Sequence, residues 1–102
     1  LVEMVYETTR KFPKAEQFGL ASQMQRAAVS VPSNIAEGHT RFHLKEYLQF
    51  LSIARSSLAE LETHYEIAFR LGYTTKENYE TSLSTMNALS KQLLALRNSL
   101  SK

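Results

Sequence analysis

The sequence contains no cysteine and only three glycines and two prolines. Without cysteine the chain has no disulfides, no thiolate metal sites and no cysteine nucleophiles, so we expect a protein of the reducing cytoplasm. The scarcity of glycine and proline argues against a β architecture, because such folds need many turns. No apolar run approaches the roughly 18 residues of a membrane span, and the first residues lack the charged-then-apolar pattern of a secretion signal. We therefore expect no membrane partner.

The residues that are present indicate one helical domain over residues 1–102. An apolar content of 43% is enough for a modest core, and the abundant alanine, leucine, glutamate and glutamine favour helices. Twelve basic and ten acidic residues give a formal charge of +2, so one copy attracts a polyanion only weakly, and several copies around one surface attract it more. Because Leu1 is not a methionine and lies inside a predicted helix, we expect that N-terminal residues are missing.

Apolar spacing predicts the first two helices. Residues 1–12 carry an apolar stripe at the helical period, and Pro13 ends that helix. The connector over residues 13–19 has room for a single helical turn. The second helix begins near Gly19, and Gly38 is predicted to be its left-handed C-terminal cap. The apolar stripes of the two helices are Leu1, Val5, Thr8 and Phe12, then Leu20, Met24, Ala27, Val31 and Ile35.

The third helix, predicted over residues 43–71, carries two apolar stripes. The first is an a/d seam sustained for four heptads. The second stripe is broken and consists of Phe50, Ile53, Ile67 and Leu71. Either this helix is central to its own bundle or it also packs against another chain, and the pattern alone leaves both open. The members of the a/d seam are Leu44, Tyr47, Leu51, Ala54, Leu58, Leu61, Tyr65 and Ala68.

A fourth helix completes the predicted fold. Gly72 caps the third helix, and Thr74 with Glu77 matches a T-x-x-E capping box at the start of the fourth. Since short connections make neighbouring helices antiparallel, the predicted fold is an all-α, up-down-up-down four-helix bundle. The seam of the fourth helix is Tyr79, Leu83, Met86, Leu93, Leu96 and Leu100.

Pro32 lies inside the second predicted helix, where a proline removes an amide donor, clashes with the carbonyl of Ala28 and costs about 3 kcal/mol. The helix could end near Val31 and restart with Pro32 in its first turn, or it could continue with a kink. Because the apolar spacing passes through the proline without a phase break, we predict one helix kinked at Pro32. A bend around a small core would give the same pattern. Ala27 and Ala28 would let another helix approach closely.

Two long segments carry a resemblance to a known family. Residues 22–41, SQMQRAAVSVPSNIAEGHTR, and residues 46–73, EYLQFLSIARSSLAELETHYEIAFRLGY, closely resemble the four-helix bundle proteins encoded within intervening sequences of bacterial 23S rRNA genes. Ser56 departs from the family pattern, which usually has glycine there. If that glycine allows close packing, the helices lie slightly farther apart here. The signature positions that match include Pro32, Asn34, Glu37, Gly38, Arg41, Glu60 and Glu62.

The resemblance implies an assembly as well as a fold. It implies an antiparallel four-helix bundle that assembles as a ring-shaped homopentamer. On that basis the second stripe of the third helix, Phe50, Ile53, Ile67 and Leu71, is the predicted oligomer interface. Wider relatives include the accessory proteins of diversity-generating retroelements, which partner a reverse transcriptase and bind nucleic acid.

No catalytic constellation stands out in the sequence. A carboxylate di-iron site needs E-x-x-H motifs, and the nearest approach, Glu60 with His64, has the wrong spacing. His39 and His43 have an i, i+4 spacing that suits a metal, but they straddle a predicted helix boundary and lack a third ligand. No G-x-S-x-G, P-loop or dinucleotide motif occurs. We expect no enzyme, no metal and no cofactor, and we expect His64 to be solvated or partly buried.

Five basic residues are the candidates for nucleic-acid binding, because arginine suits bidentate phosphate contacts and a ring would repeat each residue. Structural ion pairs are the competing interpretation, since Glu37 and Glu46 lie in the same motif as two of them. A third could pair with Glu60 or Glu62. No basic stripe with interleaved aromatic residues, of the kind that reads single strands, is present. The candidates are Arg26, Arg41, Lys45, Arg55 and Arg70.

These observations support two hypotheses of different classes. The first is a non-enzymatic homo-oligomer, a pentamer by resemblance, that binds structured RNA such as rRNA or another nucleic acid. The alternative is a protein-interaction adaptor similar to the retroelement accessory proteins that hold a reverse transcriptase. A location inside an rRNA operon would favour the first, and a neighbouring reverse-transcriptase gene would favour the second.

Overall fold

Four α-helices and one short 3₁₀ helix make up most of residues 1–101, the part of the chain that the computed structural model describes, and no strand occurs there. The four-helix prediction is confirmed, and the connector after Pro13 contains the single turn expected of it. Within the same residues no helix combines the length and the apolar character needed to cross a membrane. The elements are α1 (Val2–Arg10), the 3₁₀ helix (Lys14–Glu16), α2 (Leu20–His39), α3 (Leu44–Arg70) and α4 (Lys76–Leu100).

The core forms where the apolar stripes of the four helices meet. α2 packs most extensively on α3, while α4 packs on α3 and α1 packs on α2. The a/d seam of α3 is buried from Leu51 to Ala68, but its first member, Leu44, is 48% exposed. The apolar spacing therefore predicted the buried face of α3 correctly over most of its length. The buried apolar side chains are Val5, Phe12, Ala21, Met24, Ala27, Ala28, Val31, Leu51, Ala54, Leu58, Leu61, Tyr65, Ala68, Met86 and Leu93.

α2 runs through Pro32 as one continuous helix. This confirms the single-helix prediction over the alternative in which the helix ends near Val31. The kink at Pro32 stays a prediction. In the same stretch the side-chain amide of Asn34 donates to the carbonyl oxygen of Ser30 at 2.7 Å and to its hydroxyl at 2.9 Å. Neither bond reaches the carbonyl of Ala28, which is the one that Pro32 leaves without an amide donor.

Gly38 is not the left-handed cap that the sequence predicted. It lies inside α2, which ends one residue later at His39, and among residues 1–101 only Gly72 is a glycine with positive φ. A Cβ atom on Gly38 would lie 2.8 Å from Cδ1 of Tyr47 and 3.0 Å from Cβ of Phe50, both on α3. The absence of a side chain is therefore needed for the close approach of α2 and α3, and turn geometry plays no part.

The end of α3 has the predicted glycine cap. Gly72 has a φ of +78°, and its N–H donates to the carbonyl of Phe69 at 3.0 Å. The N–H of Tyr73 donates to the carbonyl of Ala68 at 2.8 Å. This pair of bonds is the Schellman motif, which satisfies two of the last carbonyls of the helix.

The predicted capping box at the start of α4 is wrong by one residue. The N-cap is Thr75, whose hydroxyl accepts a bond from the backbone N–H of Asn78 at 3.1 Å. The hydroxyl of Thr74 instead accepts from the side-chain amide of Asn78 at 2.7 Å. Either of two adjacent threonines could act as the N-cap. The backbone path of the turn after α3 decides which one does.

Contacts between α2 and α3 follow a simple order. Close to the turn that joins them, Tyr47 bonds to His39, and farther away Ser57 bonds to Ser30. Residue numbers fall along α2 as they rise along α3. The antiparallel, up-down-up-down arrangement of the whole bundle stays a prediction.

The hydroxyl of Thr8 joins three helices. It accepts a hydrogen bond from the hydroxyl of Tyr65 on α3 at 3.1 Å and another from the side-chain amide of Asn78 on α4 at 3.0 Å. Thr8 itself donates to the carbonyl of Met4 at 3.1 Å. Because Tyr65 is fully buried, its hydroxyl needs such a partner. The cluster fixes α1 against the second half of α3 and the start of α4.

Candidate nucleic-acid interface

A groove between α3 and α4 brings two basic side chains together without any acidic residue in its lining. Lys45, in the first turn of α3, and Arg97, in the last turn of α4, both face it. Nε of Arg97 donates to the hydroxyl of Ser52 at 3.1 Å. This bond uses only Nε, so the two terminal amino groups of the guanidinium are not needed to hold the side chain. The groove has a volume of about 510 Å³, and its other lining residues are Leu48, Gln49 and Ile53. We call it the basic groove.

Helix geometry explains why these residues meet. Lys45, Gln49 and Ser52 are spaced at i, i+4 and i+7, so they share one face of α3. Arg97 joins them from the other helix. The sequence predicted Lys45 but missed Arg97, because the register of α4 against α3 is set by packing. The signal that could have found it was an arginine in the last turn of a helix that returns toward the start of its neighbour.

Arg41 lies in the turn between α2 and α3, but its guanidinium already has partners. It lies 2.6 Å from Oε1 of Glu37 and 4.9 Å from the centre of the Phe50 ring. The ion pair that competed with nucleic-acid binding for this residue is therefore present. An exposed pair of this kind contributes little stability, but it neutralises part of the local positive charge. Arg41 is a weaker phosphate ligand than Lys45 as a result.

Arg26 faces a different groove, of about 350 Å³, between α2 and α3. Glu60 faces the same groove, and the remaining lining residues are Gln23, Ala27, Ser30 and Ser57. Among residues 1–101 Arg26 forms no ion pair. A carboxylate in the same lining repels phosphate, so this groove suits a polyanion less well than the basic groove does.

The remaining two candidates lie apart from the basic groove. Nε of Arg55 is buried without a hydrogen-bond partner in the described residues, and neither Glu60 nor Glu62 forms an ion pair with it there. Arg70 is at the opposite end of α3, with Nε 3.6 Å from Oε2 of Glu66. The five candidates therefore do not form one patch.

Comparison with known proteins decides the family. The model of the family described as 23S rRNA-intervening sequence protein matches residues 1–95. The chain belongs to this family. The resemblance inferred from its motifs is thus confirmed, together with the four-helix architecture that the resemblance implied. No curated protein matches the chain.

The second stripe of α3 remains largely uncovered in this intervening-sequence protein. Ile53, Ile67 and Leu71 are 47%, 40% and 54% exposed, and Phe50 is half-buried beneath Arg41. Ser56, the departure from the family pattern, is exposed and so does not set the spacing of helices within the bundle. The earlier expectation that it widens an interhelical distance does not hold within one chain.

His39 and His43 lie at the junction between α2 and α3. His39 ends α2, with Nε2 3.1 Å from the hydroxyl of Tyr47, and His43 directly precedes α3, so the pair straddles a helix boundary as predicted. In residues 1–101 no three histidine, cysteine or acidic side chains are grouped as metal ligands would be.

His64 is buried, in contrast to the solvated or partly buried position expected. Its Nδ1 has no hydrogen-bond partner in the described residues, and its Nε2 lies 3.6 Å from Oε1 of Glu60. Burial lowers the pKa of His64 below its usual 6.5, and the nearby Glu60 carboxylate only partly opposes that shift. The imidazole is therefore neutral at physiological pH.

Proposed function

We propose that this intervening-sequence protein is a non-enzymatic, homo-oligomeric helical bundle that binds structured RNA or another nucleic acid. The observation that carries the proposal is the basic groove, in which Lys45 and Arg97 lie together and no acidic residue opposes them. Phosphate oxygens accept hydrogen bonds from both ammonium and guanidinium groups. A cytoplasmic location belongs to the proposal, because a chain without cysteine does not depend on an oxidising compartment.

Assembly would strengthen this site. One copy carries a formal charge of only +2, whereas a ring presents the same groove once per subunit. The exposed side chains Ile53, Ile67 and Leu71 offer the apolar surface that a neighbouring subunit would cover. Because Ile53 also lines the basic groove, a subunit packed on it would lie next to Lys45. We propose a pentamer, as the family resemblance implies.

The exposed stripe also favours a second candidate function. A protein-interaction adaptor would use Ile53, Ile67 and Leu71 to hold a polypeptide such as a reverse transcriptase. In that case replacing these residues by polar ones abolishes partner binding, and replacing the basic residues of the groove leaves it intact.

A fluorescence-anisotropy titration of a labelled RNA hairpin, at low and at physiological salt, tests the first function on protein of known solution mass. The test variant is Lys45→Gln/Arg97→Gln. The matched control is Lys76→Gln/Lys91→Gln, which removes the same charge from exposed sites elsewhere on α4. We expect binding that weakens steeply with salt. In the test variant alone, the slope of log affinity against log salt should become shallower by roughly 1 to 2.

Two results would contradict the proposal. One is the absence of binding by an intact wild-type oligomer. The other is an equal loss of affinity in both double variants, since that would reflect total charge rather than a site at the basic groove.

A further inference from the structure

Two phenylalanine side chains are completely exposed. Phe42 has a relative exposure of 101% and Phe18 of 99%. Phe42 lies in the turn between α2 and α3, and Phe18 lies in the connector before α2. Burying a ring of this size in a core would contribute about 1.5–3 kcal/mol, and neither side chain gains it within the chain.

The surroundings of the two rings differ in charge. Phe42 lies between Arg41 and His43, three residues before Lys45 of the basic groove. A separation of three residues limits the Cα–Cα distance from Phe42 to Lys45 to roughly 11 Å. For Phe18, by contrast, the nearest charged residue in the sequence is Glu16. Of these two phenylalanines, Phe42 is therefore the one whose exposed ring lies close to the basic groove.

The turn that carries Phe42 is held on both sides. On one side Arg41 pairs with Glu37 and covers the Phe50 ring. Across the turn the hydroxyl of Tyr47 bonds to His39, and their rings lie 4.9 Å apart. A ligand that stacks on Phe42 therefore meets a turn that is already ordered, which reduces the entropy lost on binding.

We propose that Phe42 is a stacking platform for one unpaired base of an RNA whose phosphates bind the basic groove. The inference rests on the proposed function and adds the part of the RNA that is recognised. Every base has a π-face that stacks on an aromatic ring, and proteins commonly contact the unstacked bases of RNA loops, bulges and ends. One ring, rather than a stripe of rings, contacts a single unpaired nucleotide within a folded RNA.

Because the sequence contains no tryptophan, the fluorescence of one introduced indole reports on its own site. Phe42→Trp introduces a single indole at the proposed stacking site, and Phe18→Trp is a control of equal exposure at the other phenylalanine. The probes are an RNA hairpin with an unpaired loop and a blunt RNA duplex of the same stem length. We expect the hairpin to quench the emission of Phe42→Trp far more than the duplex does, and to leave the emission of Phe18→Trp unchanged.

Affinity measurements complete the test. We expect Phe42→Ala to weaken hairpin binding by roughly 5- to 150-fold, which corresponds to the loss of one base–aromatic stack. Phe18→Ala should remain within about twofold of the wild type, as a surface change away from the ligand does. Neither variant removes a core contact, because both rings are exposed.

Each alternative outcome has a distinct meaning. If wild-type protein does not bind the hairpin, both the proposed function and the stacking platform are overturned. If it binds but Phe42→Ala binds equally well and the emission of Phe42→Trp does not change, only the stacking platform is overturned. Blue-shifted emission from Phe42→Trp in the RNA-free oligomer, unaffected by RNA, would also overturn it and would assign Phe42 to a contact between subunits.

Discussion

The hydroxyl oxygens of Ser30 on α2 and Ser57 on α3 lie 2.8 Å apart, so one hydrogen bond links the two helices that pack most extensively. Small residues, Ala27 and Ala28, are buried one turn earlier on α2. This part of the contact between α2 and α3 therefore consists of small side chains and one polar link. Ser30 also accepts a bond from Asn34, which orients its hydroxyl toward α3.

Ser57→Ala should lower the free energy of unfolding by about 1 kcal/mol, because it removes the interhelical hydrogen bond. Urea denaturation measures the change. Ser56→Ala is the matched control, since Ser56 is the exposed neighbour on the same helix and gains the same helix propensity. Equal stabilities of the two variants would show that the 2.8 Å contact between the serines contributes nothing.

Gly38→Ala should destabilise the protein by about 1–3 kcal/mol, although alanine is the better helix former. The reason is the overlap of the new methyl group with Tyr47 and Phe50 across the helix interface. A double-mutant cycle with Tyr47→Leu checks this cause, and the penalty should shrink when the aromatic ring is gone. Gly72→Ala is the contrasting control, because its cost arises from a φ of +78° and should not depend on Tyr47.

Pro32→Ala should leave the helix content of α2 intact and change the assembly of the protein. Alanine restores the amide donor without requiring any bend in the helix axis, so the outer shape of the bundle changes more than its secondary structure. Circular dichroism and solution mass measure the two effects, and Ser33→Ala serves as the exposed control beside it. An unchanged oligomer mass together with unchanged stability would refute the role of the proline in assembly.

Stability should decrease in mild acid because of His64. Its pKa is lowered in the folded state by burial, so between the folded pKa and the usual 6.5 the unfolded chain binds more protons. The stability that the neutral imidazole allows is present above pH 6.5 and is lost as the pH falls through the folded pKa. Urea midpoints from pH 8 to pH 5 should show a smaller acid loss in His64→Gln than in the wild type. The exposed control His43→Gln should retain the wild-type slope.

Local patterns predicted the parts of the fold that depend on periodicity. The buried run from Leu51 to Ala68 follows from apolar spacing, because the spacing itself defines the face of the helix. The predictions failed at Gly38 and Thr74. The role of Gly38 is decided by an aromatic ring on another helix, and the N-cap is decided by a shift of one residue in the turn. Neither fact is present in the local sequence.

The candidate site was predictable only in part for the same reason. Lys45 was identified from the residue type and the family resemblance, but its partner Arg97 is distant in sequence and meets it through the packing of α4 on α3. The complete exposure of Phe42 was also missed, since periodicity predicts which side chains are buried within helices and not how a turn residue points.

The Thr8 cluster has a consequence for the order of folding. α1 packs on α2, and the hydroxyl of Thr8 links it to α3 and α4. The hydroxyl of Thr8 can accept from both Tyr65 and Asn78 only when α3 and α4 are packed together. We therefore expect α1 to complete its docking after α3 and α4 have associated, and to open locally while they stay packed. Amide hydrogens of α1, such as that of Thr9, should exchange with solvent through this smaller opening, well before those of Leu61 in the centre of α3.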